Sequence, residues 1–292
     1  MSEPIHILSL GAGVQSSTLA LMAARGEVTP MPSAAIFADT HAEPQNVYDW
    51  LAWLETQLPF PVYRVSNGNL AEHALKMRTT KDGRSFTVTS IPYYTLSVKG
   101  PGKILHRTCT ADFKIKPIIK KARELGGIKR GQKTIGVIQW IGISYDEWMR
   151  CKPAREAWIE NRWPLIDAKM TREACLRWMD SRGYPKPPRS SCVFCPFHND
   201  AEWRRLKTED LPAFERAVAF ERAVAFERAV AFERAVAFER AVAKTKGLTD
   251  NFHSKIFLHR SCKPLDEVDF RTEEERGQLN FFNNECEGMC GV

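Results

Sequence analysis

Three short apolar runs, "IHILSL" at residues 5–10, "SAAIFADT" at 33–40 and "FPVYRVS" at 60–66, alternate with stretches of helical apolar spacing. This alternation restricts the fold more than any other feature. Strand, helix and strand in succession imply a parallel sheet covered by helices on both faces, with ligands held at the carboxyl ends of the strands. After the first run, "SSTLALMAARG" offers serines suited to an N-cap and apolar residues at helical spacing; after the second, "EPQNVYDWLAWLETQL" reads as an amphipathic helix starting just after Pro44. Gly11–Ser17 and Asp39–Glu43 then fall at strand ends. "QKTIGVIQWIGIS" supplies a further buried strand, and "ADFKIKPIIKKARELG" a helix expected to start near Pro117.

The 292 residues, 43% of them apolar, suffice to bury a core. No run of about 18 apolar residues occurs and the start lacks a basic stretch leading into an apolar signal core, so a cytoplasmic chain that enters no membrane is expected. In that compartment eight cysteines argue for metal or redox chemistry rather than a disulfide framework. The formal charge of +7 favours anionic ligands, and the acidic stretch "LDEVDFRTEEERGQ" concentrates the positive charge upstream of it. Residues 77–107, rich in Gly, Pro, Thr and basic residues without clear periodicity, read as a long basic loop over the site.

Residues 213–242 are five identical copies of "AFERAV". The composition favours one long helix continuing to about Lys246 and ending at Gly247. Six residues turn through about 600°, so successive phenylalanines point in three directions rather than one. A helical spacer projecting from the fold is the expectation, with self-association through exposed Phe as the alternative.

The Gly-rich turn "GAGVQSS" presents unpaired backbone N–H groups and a helix dipole to an anion, with Ser16 and Ser17 as further donors. It is neither a Walker A loop nor a GxGxxG fingerprint. Close to the chain's other features, Cys192 and Cys195 in "CVFC" can reach one metal from a single turn, Cys286 and Cys290 lie in the terminal "ECEGMCGV", and Cys109 makes a fifth candidate for a site of four. Spacing alone leaves Zn and a [4Fe-4S] cluster equally open. Cys151, Cys175 and Cys262 have no partner at ligand spacing and read as structural or surface thiols.

Several stretches, in order, resemble the phosphoadenosine phosphosulfate (PAPS) reductase family, within the adenine nucleotide alpha-hydrolase superfamily of PP-loop ATP pyrophosphatases, including its phage-encoded members. "FADTHAEPQNVYDWL" is similar to the Asp-Thr-Gly-x-x-x-Pro-Glu-Thr segment, and "GVQ" at Gly13–Gln15 to the Gly-Ile-Gln of the reductases. ATP-splitting members carry Asp where Gln15 stands. "HRTCTADFKIKPI" resembles the Cys-x-x-x-x-Lys-x-x-Pro element through Cys109, Lys114 and Pro117. "IGISYDEWMR" resembles Gly-x-Arg-x-x-Glu-Ser-x-Arg through Gly142, Glu147 and Arg150, with Ser144 in place of the first Arg. "WPLIDAKMTREACLRWMDSRGYPKPPRSSCVFCPF" resembles the closing Pro-Leu, helix, Pro-x-x-Pro and Cys-x-x-Cys progression.

The resemblance covers about residues 5–200. It implies a parallel-sheet, Rossmann-like nucleotide-binding domain over 1–200, with 201–292 as a helical extension holding the repeats and terminal cysteines. It also implies an adenine nucleotide, ATP or PAPS, with Mg2+ as a further candidate, bound by Ser9, Gly11, Ala12, Gly13, Val14, Gln15, Ser16, Ser17, Asp39, Thr40, Gly142, Glu147 and Arg150. Arg107 and Lys114 become partners of a sulfate or phosphate group, and Cys286 the thiol that attacks the sulfur of the phosphosulfate, although the His that follows this thiol in the reductases is missing. Cys109, Cys192, Cys195 and Cys290 become cluster ligands, with [4Fe-4S] favoured over Zn. The implied partner is a thiol or electron-donor protein. A nucleic-acid substrate activated with ATP is the alternative, and an inactive nucleotide-binding scaffold held by structural zinc is a third reading.

Overall fold

The structure, a computed structural model, describes residues 3–79, 81, 85–87, 90–97, 100–242 and 255–271; for 85–87, 97, 100–103 and 228–242 the backbone alone is described. In chain order the first elements are β1 (Ile5–Leu10), α1 (Val14–Ala24), β2 (Ala34–Asp39), α2 (Gln45–Gln57), β3 (Val62–Ser66), α3 (Leu70–Leu75), β4 (Met77–Thr79), β5 (Ser85–Thr87), β6 (Tyr94–Ser97) and β7 (Gly100–Ile104). A π-turn (Ala111–Ile115) leads into α4 (Lys116–Leu125), followed by β8 (Val137–Ile141), a 3-10 helix (Tyr145–Arg150), β9 (Ile159–Arg162), α5 (Pro164–Asp167) and α6 (Arg172–Asp180). Then come α7 (Asp200–Glu209), α8 (Leu211–Val242) and β10 (Lys255–Phe257). No helix among the described residues is long and apolar enough to cross a membrane.

Among the described residues the chain divides into two units, one of residues 3–67 and 110–191 and the other of 68–109 and 192–271. Residues 68–109 thus join the later part of the chain. The first unit is α/β, built on a five-stranded sheet in the order β3-β2-β1-β8-β9 with every neighbouring pair parallel. Because side chains alternate along a strand, β1 feeds two cores: Leu8 and Leu10 pack with α1, α2 and α6, whereas Ile7 packs with Ile36, Val137, Ile159 and Ala122 of α4. Both faces are therefore covered, as the near-continuous apolar run of β2 requires.

The flanking helices follow from their sequences. α2 buries Val47, Trp50, Leu51 and Leu54, the i, i+3, i+4, i+7 set of one face. α1 is buried on nearly every side, from Val14 to Ala23, so its serine and threonine hydroxyls turn inward onto partners: Thr18 Oγ1 donates to the Val14 carbonyl at 2.9 Å and Trp50 Nε1 donates to Ser17 Oγ at 2.9 Å. Pro117 sits in the first turn of α4, where its missing N–H is tolerated, and α4 begins at Lys116, close to the expected start; a π-turn that carries Lys114 leads into it.

In the second unit, residues 77–107 are not the structureless loop that their composition suggests. They form β4 paired antiparallel with β5, and β6 paired antiparallel with both β7 and β10. Short strands whose partner β10 lies far along the chain leave little local signal, and pairing rather than propensity decides them.

The repeats also depart from expectation. The first two copies do not project: Ala213, Phe214, Ala217, Phe220, Glu221 and Val224 are buried, with Phe220 stacked on Phe194 at 4.1 Å between ring centroids. Glu221 accepts hydrogen bonds from the Leu258 N–H at 2.7 Å and the Leu265 N–H at 2.6 Å, and Arg222 pairs with Asp266. In the third copy Phe226 is 66% exposed. The helix is described to Val242; its expected continuation to Gly247 lies outside the described residues. Phe220→Ala is expected to cost about 3–5 kcal/mol in urea denaturation, and the chemically identical Phe226→Ala less than about 0.5 kcal/mol. Equal costs would refute the division of the repeat into packed and exposed copies.

Candidate functional site

In the parallel sheet the chain runs outward from β1 to β2 and β3, then returns to place β8 on the other side of β1. Such a reversal opens a crevice at the carboxyl ends of the two strands that flank it, where open α/β sheets hold their ligands. The loop after β1 and the segment after β8 meet there. A Cβ added to Gly142 would lie 2.8 Å from both the N and Cα of Ser16, so only glycine lets the two segments pass.

The loop is braced from within. Gly11 N–H donates to Ser16 Oγ at 3.1 Å and Ser17 N–H to the Gly13 carbonyl at 3.0 Å. Gly13 is the N-cap of α1 with extended backbone and no capping side chain, and the first turn of a helix leaves its N–H groups without intrahelical acceptors. Ala12 takes φ +56, and at the end of β2 His41 takes φ +57. Both strand ends thus carry a non-glycine residue in the left-handed region, a cost of about 1 kcal/mol or more that functional sites often bear. Ser17 is fully buried against Trp50 and takes no part in the open loop, contrary to the expectation that its hydroxyl faces an anion. Ser9, on β1, accepts from Gln139 Nε2 at 2.7 Å.

Two polar clusters flank the loop. On one side Gln15 Nε2 donates to Glu147 Oε2 at 3.2 Å and reaches Ser144 Oγ at 3.4 Å, and Arg150 donates to the same Glu147 oxygen at 2.8 Å. Gln15 and Ser144, two positions at which the sequence departs from the pattern it resembles, therefore face each other. Burial pushes the Glu147 carboxyl above its ordinary value, against the opposing pull of Arg150. On the other side Glu43, 1% exposed, accepts from Lys114 Nζ at 3.2 Å and from Ser190 Oγ at 3.2 Å. Ser190 also lies beside Gly13, whose added Cβ would sit 3.8 Å from the serine Cβ. Glu43 and Ser190 were not among the expected site residues. The only sequence signal was the position of Glu43 just past a strand end, before Pro44.

Asp39, the last residue of β2, accepts from His41 N–H at 2.7 Å and from Tyr48 Oη at 2.8 Å, which raises the Tyr48 phenol together with burial as the larger cause. Thr40 is buried beside it. The arrangement offers an anion two cations, Lys114 and Arg150, each already held by a buried or half-buried carboxylate, together with the first-turn N–H groups of α1.

Arg107, Cys109, Cys192 and Cys195 lie in the second unit. Arg107 stacks over the Phe197 ring at 5.3 Å, and Cys109 N–H donates to the Ser90 carbonyl at 3.0 Å. Cys192 and Cys195 form a tight turn in which Cys195 N–H donates to the Cys192 carbonyl at 3.0 Å. Cys286 and Cys290 lie outside the described residues. Among the described residues no group of three or more His, Cys, Asp and Glu is placed to hold a metal. Burial pushes the Cys175 thiol up to about 12, and Cys262 is buried with its thiol toward the Thr95 carbonyl. Arg204 donates to the Phe270 carbonyl at 2.8 Å and Arg205 forks onto Glu202, so these two arginines brace the fold rather than form a ready phosphate contact.

No protein-family model matches the chain, and no curated protein matches it with significance.

Two outcomes test this site. Gly142→Ala is expected to displace the loop and to destabilise the fold by about 1–3 kcal/mol, read by urea denaturation; an unchanged midpoint would show that the close approach is not real. Because the Glu147 value is raised above the ordinary 4.5, its contribution to stability is complete below that value and is lost as pH rises through the folded value. Glu147→Gln fixes the neutral form, so the variant should gain on the wild type between about pH 4.5 and neutrality. A stability difference that does not change with pH would refute the burial argument.

Proposed function

We propose that the chain is an adenine-nucleotide-binding enzyme of the PAPS reductase-like family, acting on a sulfonucleotide or transferring its sulfur. The observation that supports this best is the pair of clusters around the loop at the reversal of the sheet, Ser190–Glu43–Lys114 on one side and Gln15–Glu147–Arg150 on the other. Among their members are Lys114, Gln15, Glu147 and Arg150, four of the residues that the resemblance marked. In this reading the nucleotide's anionic groups rest on the first-turn N–H groups of α1, and Lys114 and Arg150 balance their charge. Glu43 and Glu147 keep the two cations in place before ligand arrives.

Gln15 directs the reading toward a sulfonucleotide. Where ATP-splitting relatives present a carboxylate, this loop presents an amide whose donor is spent on Glu147, so the loop itself brings no charged ligand for Mg2+. In the reductase chemistry a thiolate, assigned to Cys286, attacks the phosphosulfate sulfur, and the S–O bond to the nucleotide breaks. The resulting thiosulfonate releases sulfite when a second thiol forms a disulfide with the first. A cysteine-bound cluster, [4Fe-4S] or Zn, would draw on Cys109 and the Cys192–Cys195 turn among the described residues, which are not grouped to hold a metal.

Anaerobic incubation with PAPS and a dithiol is expected to yield sulfite and the nucleotide bisphosphate, and Lys114→Ala to weaken nucleotide binding by roughly tenfold or more. Pyrophosphate from ATP in the presence of nucleic acid would favour the modification reading instead. Neither product, with nucleotide still bound, would leave a binding scaffold.

A further inference from the structure

The 3-10 helix Tyr145–Arg150 has two faces. Glu147 and Arg150 turn inward to Gln15, whereas Tyr145 is 46% exposed, Trp148 61% and Met149 80%. Three of the eight exposed large apolar side chains among the described residues fall in these five positions, which concentrates the cost of hydrating them in one patch. The patch is also held firmly. Tyr145 N–H donates to the Met170 carbonyl at 2.7 Å, Cys151 N–H to the Trp148 carbonyl at 3.0 Å, and Asn161 Nδ2 to the Lys152 carbonyl at 2.9 Å.

Cations lie near it along the chain. Lys152 and Arg155 follow on the exposed chain, and exposed Lys169 adjoins Met170, the acceptor of the Tyr145 N–H. Three acids share this stretch: Asp146 accepts from the Arg172 N–H at 3.1 Å, Asp167 lies within 3.9 Å of Arg162, and Glu156 follows Arg155, while Glu147 is turned inward to Gln15. Exposed aromatic rings on an anchored backbone, with lysine and arginine nearby in the chain, match one chemistry: unpaired nucleobases that stack, joined by phosphates that need counter-charge. An apolar peptide would need a groove rather than separate exposed rings, and duplex DNA hides its bases from stacking.

We propose that Tyr145, Trp148 and Met149, with Lys152, Arg155 and Lys169, form a binding surface for a single-stranded polynucleotide. The surface lies wholly on the first unit and needs no nucleotide in the loop after β1.

The test uses the full chain, without added nucleotide, and fluorescein-labelled oligo(dT) and oligo(U) of about 15 nucleotides, with a duplex of the same length as the third arm. Anisotropy should show either single strand binding more tightly than the duplex, and the strand should quench tryptophan emission less in Trp148→Ala than in the wild type. The double variant Tyr145→Ala/Trp148→Ala should bind about tenfold more weakly or worse. Because both side chains are exposed, its thermal midpoint should not move. Lys152→Glu/Arg155→Glu, which leaves the aromatic rings untouched, should weaken both strands alike and reduce the salt dependence. Absence of single-strand binding, preference for the duplex, or binding that survives both variants would overturn the proposal. So would concentration-dependent self-association that the aromatic variant abolishes while strand binding is undetectable.

Discussion

The approach of Gly142 to the backbone of Ser16 is the constraint on which the candidate site depends. β8 can lie parallel to β1 and still let the chain turn across the start of α1 only because no side chain stands at this position. The turn then carries Ser144, Glu147 and Arg150 to Gln15. A bulkier residue at 142 would separate two elements that are more than a hundred residues apart in sequence. The reversal of strand order supplies the crevice, but the missing side chain brings its walls together.

The charges of the site are organised as balanced pairs rather than as a bare positive patch. Lys114 is held by Glu43 and Arg150 by Glu147, and both carboxylates are largely shielded from solvent. Removing an acid from such a pair would leave a cation without its partner in a low-dielectric setting, and removing the base would strand a buried acid. Each pair therefore fixes geometry at the expense of net attraction. An anionic ligand has to compete with an existing carboxylate, which rewards a ligand that reaches both cations and the helix N-terminus together. The Gln15 amide adds a donor to one pair without adding charge.

Much of the first unit was legible in the sequence because its signals are local. The apolar runs of β1 and β2, the Val47, Trp50, Leu51, Leu54 spacing of α2 and the glycines of the first loop each announce their element within a few residues. What escaped depends on distant partners. The strands within 77–107 are set by pairing with each other and with β10. Glu43 looks like any strand-end acid until Lys114 and Ser190 arrive beside it, and Ser17 looks like a ligand donor until Trp50 covers it.

The repeat helix shows how little an amino acid's identity determines by itself. Glu215, Glu221 and Glu227 occupy the same place in consecutive copies, yet only Glu221 is buried and receives two backbone N–H groups from the returning chain. In the third copy Phe226 is exposed, and the same Glu221 carboxylate is met again by the backbone of Leu258 and Leu265, 37 and 44 residues further along. Identical units therefore differ in what holds them, and a change in the number of later copies would alter a stretch of chain whose two ends share one side chain as their anchor.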